Sequence, residues 1–360
     1  MITLSLPFNI SAQEYPDTDS LSAPQKTSWL QNRINAFNNA YRHNPEYLKN
    51  EANMLKVRLL GTVQLPSIMI HPKSDTEKKV TFSSDPLKYV GADIGWNIFN
   101  FGYSYGLDRK NNKNNSRLSF NTYTRFFAIN AEILWMSNLS VSDIDNFRPE
   151  GEDNVDKYPE IITIDGAYLR SRSLQLKFFP NGKKMAYGNT INPIFRQRKS
   201  AGTTVFSLGY ADNDFNTNLE KMDADEHAWI NEVGINSMNL SKYELGAGYS
   251  YNFVISRRWI LFLSDIVGIS AKHYSYRMLY DTSPTNNTKI GICNYLRTGT
   301  CYYNKNYYIG TNILYEFDAL STNQFLFNRT NLTGVVYIGY KFNVDSFNRF
   351  VSNTLNVNIK

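Results

Sequence analysis

Asp93, Arg117, Arg125, Glu132, Lys177, Glu244, Lys272, Glu316 and Lys341 all fall on the polar side of segments that alternate with a period of two. Four are acids and five are bases. Such a set can close a narrow β-barrel by internal ion pairs, or it can line a water-filled pore and sort solutes by charge. Near neutrality favours the ion pairs. Arg170 and Arg172 differ, because they share a face with Leu174, Leu176 and Phe178. If that face meets lipid, the two guanidinium forks lie at the outer headgroup level, where they suit lipopolysaccharide phosphates. Otherwise they form a ladder of solvated or lumen-facing bases.

Hydrolytic chemistry needs a Ser–His or acid–His arrangement near a rim. The four histidines are His43, His71, His227 and His273. Only His273 lies near an expected strand end, with Ser270 and Ser275 close in sequence. None of these spacings resembles an outer-membrane phospholipase, deacylase or protease site. No catalytic residue is assigned, and a lipid-modifying enzyme is the least favoured reading. Cys293 and Cys301 lie in one stretch. They can bridge a hairpin in an oxidising compartment, or remain two thiols. With no histidine beside them they make no metal site, and no cofactor is implied.

Strands must position these groups. In Lys88 to Asp108 (KYVGADIGWNIFNFGYSYGLD), Val90, Ala92, Ile94, Trp96 and Ile98 oppose Tyr89, Gly91, Asp93, Gly95 and Asn97. The phase then shifts by one. Phe99, Phe101, Tyr103, Tyr105 and Leu107 oppose Asn100, Gly102, Ser104, Gly106 and Asp108. A period of two is that of a strand, and about ten residues cross a bilayer when tilted. The phase shift leaves room only for a tight reversal. This is either a transmembrane hairpin with apolar groups toward lipid or half of a soluble sandwich. The pattern recurs at 117–136, 243–254, 307–317 and 335–342, with further alternation at 170–178, 203–211 and 259–272, and Met54 to Ile70 is a further β-prone run broken at Pro66. A soluble sandwich has no reason to hold that length, so the barrel is preferred. Asp265 interrupts the apolar face of its segment. Loops 108–117 and 137–165 are long and polar, the second strongly acidic and best read as a solvated loop, whereas 97–99, 127 and 181–182 are tight. That asymmetry belongs to membrane barrels. The tight turn at 256–258 breaks parity unless another crossing exists. About eleven strands are clear. An even count predicts twelve, the last drawn from Lys78–Ser83, Lys183–Ile191 or Thr354–Ile359.

The chain has 360 residues, net charge +6 and abundant Tyr (25) and Phe (22). Its mean hydropathy of −0.42 excludes a helical membrane protein. No nucleic-acid-binding module is present. Residues 1–12 read as the end of a secretory signal peptide. Residues 13–53 read as a leader with a short amphipathic helix over Ser28–His43, placed at the periplasmic end. The barrel spans 54–342, and 343–360 is a tail or last strand.

The segments FFPNGKKMAY (178–187) and RQRKSAGTTVFSLGY (196–210) resemble those of an uncharacterised Bacteroidetes family. It is catalogued as a domain of unknown function and predicted to comprise exported barrels. Phe179, Asn181, Lys183, Lys184, Ala186, Tyr187 and Gln197, then the motif Arg198, Lys199, Ser200, Ala201 and Gly202, match its pattern. Arg198 replaces a common Lys, and Thr203 a common Ser. The likeness spans roughly residues 50 to 342. It implies fold and export but carries no activity. By itself the motif reads as a bend before a strand.

The expectation is therefore an all-β antiparallel transmembrane barrel of about twelve strands in the outer membrane of a Gram-negative bacterium. It would act as a channel or transporter-like protein for a small solute, in contact with lipid and lipopolysaccharide. The alternative is a structural or surface-interaction barrel acting through its long loops.

Overall fold

The computed structural model describes residues 43–344, except 52–53, 76, 84–85, 97–98, 108–114, 138, 148–160, 165, 191–192, 194, 222–227 and 282. The apolar run at 1–12, the helix expected over 28–43 (save His43) and the candidate strand at 354–359 lie outside the described residues.

In chain order the strands are β1 (Leu48–Asn50), β2 (Met54–Pro72), β3 (Val80–Ser83), β4 (Leu87–Trp96), β5 (Phe99–Gly106), β6 (Ser116–Tyr123), β7 (Phe127–Ser137), β8 (Ser140–Ser142) and β9 (Ile161–Thr163). They continue with β10 (Tyr168–Phe178), β11 (Phe195–Gln197), β12 (Ala201–Asn216), β13 (Ile235–Val254), β14 (Trp259–Met278), β15 (Thr285–Tyr303), β16 (Tyr307–Ser321) and β17 (Phe325–Asn343). One short helix, α1 (Ala228–Val233), is described. β2, β4–β7, β10 and β12–β17 form one closed antiparallel barrel of 12 strands. β17 returns to β2, in register from Met54↔Asn343 to Pro72↔Phe325. Closure satisfies the ladder hydrogen bonds on both sides of each strand, as a bilayer demands.

The two faces follow from the period of two. On β13, Tyr243, Leu245, Tyr249 and Phe253 are exposed, while Lys242, Glu244, Ser250 and Asn252 are buried in the lumen. On β14, Leu261, Leu263, Val267 and Ile269 face out, and Phe262, Ser264, Ser270 and Lys272 face in. Phe99, Phe178, Phe253, Trp259, Tyr307 and Phe342 ring one end of the apolar belt. Such aromatic girdles mark a membrane interface. Asp265 does face outward within the belt, where Asn294 Nδ2 on β15 donates to its carboxylate at 2.7 Å.

The turn end carries the short connections 97–98, 124–126, 255–258 and 304–306, together with residues 43–53 and the end of β17. The other end carries 73–86, 107–115, 138–167, 217–234 and 279–284, together with the short turn 322–324. Residues 183–191 do not cross the barrel. Connection 179–200 leaves and returns at the turn end, so 255–258 keeps parity without an added strand. Neither candidate within the described residues supplies the twelfth strand. β3 only prolongs the sheet beyond β4, joined by β8 and β9, and the strand missing from the sequence reading is β15. Ten residues is a crossing length, not a strand length. β2, β15 and β17 have 19 residues and β13 and β14 have 20, against 8 for β5 and β6. Beyond the belt, outward positions on the long strands become Asn239, His273, Arg277 and Asn286. Pro66 does not break β2. On one side it falls between the stretch paired with β4 (Lys56 to Gln64) and that paired with β3 (Ser67 to Ile70), and on the other it stays in register with Asn331 of β17.

Both mouths are filled. At the loop end, Trp229 and Ile230 of α1 pack with Val80, Phe82, Leu134, Met136, Val141, Ile144, Leu169, Phe215 and Phe327 as an apolar cap. At the turn end, Phe179, Met185, Tyr187 and Phe195 of connection 179–200 enter the lumen. They meet Leu48, Tyr123, Ala128, Val205, Phe262 and Ile266.

Gly182 allows this plug to start. A Cβ there would lie 1.5 Å from the Arg125 carbonyl oxygen in turn 124–126. Gly182→Ala is expected to destabilise the protein by about 1–3 kcal/mol. Gly61→Ala, whose Cβ would meet only the Val336 side chain at 3.2 Å on the outer wall, is expected to change little. Urea unfolding of both variants in lipid vesicles, followed by heat-dependent gel migration, checks this.

Candidate functional site

Between cap and plug the lumen holds a polar chamber of about 210 Å³. Its walls come from most of the barrel strands, because each presents alternate residues inward. Arg58 on β2 faces Asp93 on β4 in direct register. Its Nε donates to both carboxylate oxygens, at 2.8 and 3.0 Å, and Nη2 adds a further hydrogen bond. Asn100 Nδ2 on β5 donates to the same carboxylate at 3.2 Å, and the guanidinium lies over the Tyr337 ring at 5.0 Å. Arg117 on β6 donates from Nε to Glu132 on β7 at 2.8 Å.

A larger network spans β10 and β13–β16. Lys242 Nζ lies 2.9 Å from Glu244 and 3.1 Å from Asp318. Lys272 pairs with the same Asp318. Gln175 Nε2 donates to Glu244 at 3.0 Å. Tyr295 accepts from Lys242 at 3.0 Å and donates to Glu244. Across the lumen, Arg329 Nη1 on β17 donates to Asn213 Oδ1 on β12 at 2.9 Å. Asn331 Nδ2 donates to Glu316 at 2.6 Å. Lys341 is buried lower down, paired with Glu51 from the N-terminal segment.

The plug forms the chamber floor. Asn252 Nδ2 donates to the Ala186 carbonyl at 2.9 Å. Asn312 Nδ2 and Tyr337 Oη donate to the Thr190 carbonyl at 2.7 and 2.6 Å. Tyr303 Oη donates to the Asn189 carbonyl at 2.6 Å. Connection 179–200 therefore leaves between β10 and β12 and is fastened to β13 and to β15–β17. The Arg198–Gly202 motif ties the outer side of the plug down. Arg198 Nη1 donates to the Pro45 carbonyl at 3.0 Å, and Lys199 pairs with Glu46 at 3.0 Å. That hydrogen bond raises the exposed Lys199 ammonium above its ordinary value. Ser200 Oγ accepts from Val254 N at 2.9 Å, and Ala201 and Gly202 open β12. β1 pairs with β11 beside this motif.

Most of the charges named from sequence thus meet in the lumen: Asp93, Arg117, Glu132, Lys177, Glu244, Lys272, Glu316 and Lys341. Arg125 does not. It lies in turn 124–126, because β6 ends at Tyr123 and the alternation expected through residue 126 stops there. Cys293 and Cys301 are buried free thiols. They lie eight positions apart on one strand, roughly 27 Å at about 3.4 Å per residue, so no bridge can form. Arg170 and Arg172 face outward near the loop end, opposite Asp214 and Asp212 on β12. His273 also faces outward, beside Thr288 Oγ1 at 3.1 Å, while Ser270 points into the lumen. Among the described residues no cluster of His, Cys, Asp and Glu could hold a metal ion.

Sequence reasoning missed Arg58, Lys242, Asp318, Arg297 and Arg329. Arg58 had a signal: Lys56, Arg58, Thr62 and Gln64 alternate with Val57, Leu59, Val63 and Leu65. Lys242 and Asp318 each sit one residue beyond the segments recognised.

A family profile described as "Domain of unknown function (DUF4421)" matches residues 43–342. No curated protein matches the chain. Solved structures similar to it include the outer membrane protease OmpT from Escherichia coli, at 9% identity, with 83% of this chain and 100% of that chain covered and a TM-score of 0.36. The translocator domain of autotransporter NalP from Neisseria meningitidis is similar at 11% identity, over 86% and 94%, with a TM-score of 0.30. The toluene transporter TodX from P. putida is similar at 10% identity, over 81% and 91%, with a TM-score of 0.28.

Arg58→Leu leaves Asp93 buried without its partner and is expected to cost about 3–5 kcal/mol. The double variant Arg58→Leu/Asp93→Leu should recover much of that in a double-mutant cycle of unfolding free energies. Cys293 and Cys301 should both stay unreactive to maleimide in the folded barrel. Both should react after denaturation without reductant, as counted by intact mass.

Proposed function

We propose that this chain, which belongs to the family described as a domain of unknown function (DUF4421), passes a small polar solute across the outer membrane of a Gram-negative bacterium through a lumen closed at rest. The carrying observation is the chamber itself. A barrel built only for stability gains little from charged walls, because buried ion pairs are rarely worth more than apolar packing of the same volume. Yet the ends of this lumen are packed with apolar side chains, and its middle keeps Arg58, Arg117, Lys242, Glu244, Arg297 and Glu316 around open space. Seals at both ends and a polar compartment between them suit a gated passage.

In this reading the turn end, with its plug and the N-terminal segment, faces the periplasm, and the long connections face outward. Arg170 and Arg172 then lie in the outer leaflet, where lipopolysaccharide phosphates are their natural ligands. Arg170 is already braced on the Tyr168 ring at 4.8 Å. A second reading, an interaction barrel, draws on connections 138–167 and 217–234, which carry β8, β9 and α1 over the loop end.

Planar-bilayer recording separates the two. Wild-type protein should show rare, brief openings. Replacing residues 180–199 with a short Gly-rich linker should raise open time and conductance at least ten-fold. Silence of both proteins at every voltage would reject the passage and leave the interaction barrel.

A further inference from the structure

Exposed charge divides unevenly between the two ends of the barrel. At the loop end acids and bases mix, with Glu77, Glu220 and Asp281 beside Lys73, Lys88 and Arg277. At the turn end Glu46 is the one exposed acid among the described residues, because Glu51 is buried against Lys341. Exposed bases crowd around it: Lys183, Lys184, Arg198 and Lys199 on the plug, and Arg257 and Arg258 in turn 255–258. Contacts join them into one surface. Lys184 and Lys199 both lie over the Tyr47 ring, with Nζ at 5.3 and 5.6 Å from its centroid. Arg198 is anchored beside them on the Pro45 carbonyl. Arg196 of β11 stands opposite Lys49 of β1 and donates to the Arg257 carbonyl. We infer that this basic face, spread over the plug and the N-terminal segment, docks an acidic polypeptide segment of a partner protein.

The face already holds one carboxylate, that of Glu46 on Lys199 at 3.0 Å. No carboxylate of a described residue pairs with Lys183, Lys184, Arg198, Arg257 or Arg258. Like charges gathered on one surface repel, and an anionic partner offsets that repulsion while the field draws it in. Guanidinium forks take a carboxylate through both oxygens, and ammonium groups add point charges. An extended acidic segment presents alternate side chains about 7 Å apart on one side, so several carboxylates meet neighbouring bases together. Lipid fits less well. Headgroups encircle the wall at the level of Phe178, Phe253 and Trp259, whereas Lys184 and Lys199 flank Tyr47, which packs on the apolar cluster of the plug inside the mouth. The docking face deepens the passage reading and rests on it for its purpose alone: a periplasmic partner seated on the plug is placed to control it. Docking itself requires no passage.

The test uses the full-length barrel in phosphatidylcholine nanodiscs, with a fluorescent dodecapeptide of alternating Glu and Ser as the probe. The peptide should bind saturably, and raising the salt to about 0.3 M should weaken it at least ten-fold. Lys184→Gln/Arg198→Gln/Lys199→Gln should weaken binding at least ten-fold, and Glu46→Gln should tighten it by removing the competing carboxylate. Lys73→Gln/Lys88→Gln/Arg277→Gln takes the same charge from the loop end and should leave binding unchanged. If the turn-end triple variant fails to fold, judged by heat-dependent gel migration, Arg257→Gln/Arg258→Gln takes its place. No saturable binding, no tightening in Glu46→Gln, or equal loss in the turn-end and loop-end variants overturns the inference. Stronger competition by inorganic polyphosphate or by phosphatidylglycerol vesicles than by unlabelled peptide also overturns it, and assigns the face to phosphate groups or to lipid. Peptide binding to a barrel that never conducts would reject the passage alone. Conduction without peptide binding would reject the docking face alone.

Discussion

Pairing of β2 with β17 is the constraint from which the rest follows. Lipid offers no hydrogen bonds, so a sheet with a free edge could not remain in a bilayer. Once the ring is closed, its outer surface must be apolar, and the period of two sends the intervening residues inward. Lipid makes no demand on those inward residues, which are apolar at the two ends and polar or charged between them. The same rule accounts for Arg58 between Val57 and Leu59, and for Lys242 beside Tyr243. Asp265 is the exception on the outer wall, and it is tolerable because Asn294 on the neighbouring strand meets its carboxylate.

A twelve-strand ring is too wide for its own side chains to fill. Chain segments fill the ends instead: α1 and connections 138–167 and 217–234 above, connection 179–200 below. Between them the charges meet one another. Direct cross-strand pairs such as Arg58–Asp93 keep neighbouring strands in register. The Lys272–Asp318–Lys242–Glu244 chain links strands that are not neighbours, so it braces the ring across its interior. Removing one member leaves an uncompensated charge, which is far more costly than the pair is beneficial.

The outward face was legible in sequence because lipid imposes a uniform demand on it. Val90 to Trp96, Tyr243 to Phe253 and Val336 to Phe342 all announced themselves. β15 was not legible. Its outward positions mix Ile290, Ile292 and Leu296 with Asn294, Thr298 and Thr300, whose hydroxyls return to backbone carbonyls of β14. Its two cysteines also drew attention to an oxidised hairpin that does not exist. The plug was invisible for a different reason. Lys183 to Ile191 carries no helical or strand period, since its side chains answer to pockets on distant strands rather than to a regular ladder. The motif Arg198–Gly202 was recognised by likeness, but its job of fastening residues 45–46 to the turn end depends on a contact more than 150 positions away in the chain.

Phe178 and Ala201 lie on adjacent strands, and a turn of a few residues would have joined them. The chain instead spends residues 179–200 on a stopper leashed at both ends to the wall it blocks. Such a stopper cannot diffuse away, and returning to its seat is an event within one molecule. Any reclosure would then proceed at a rate independent of protein concentration.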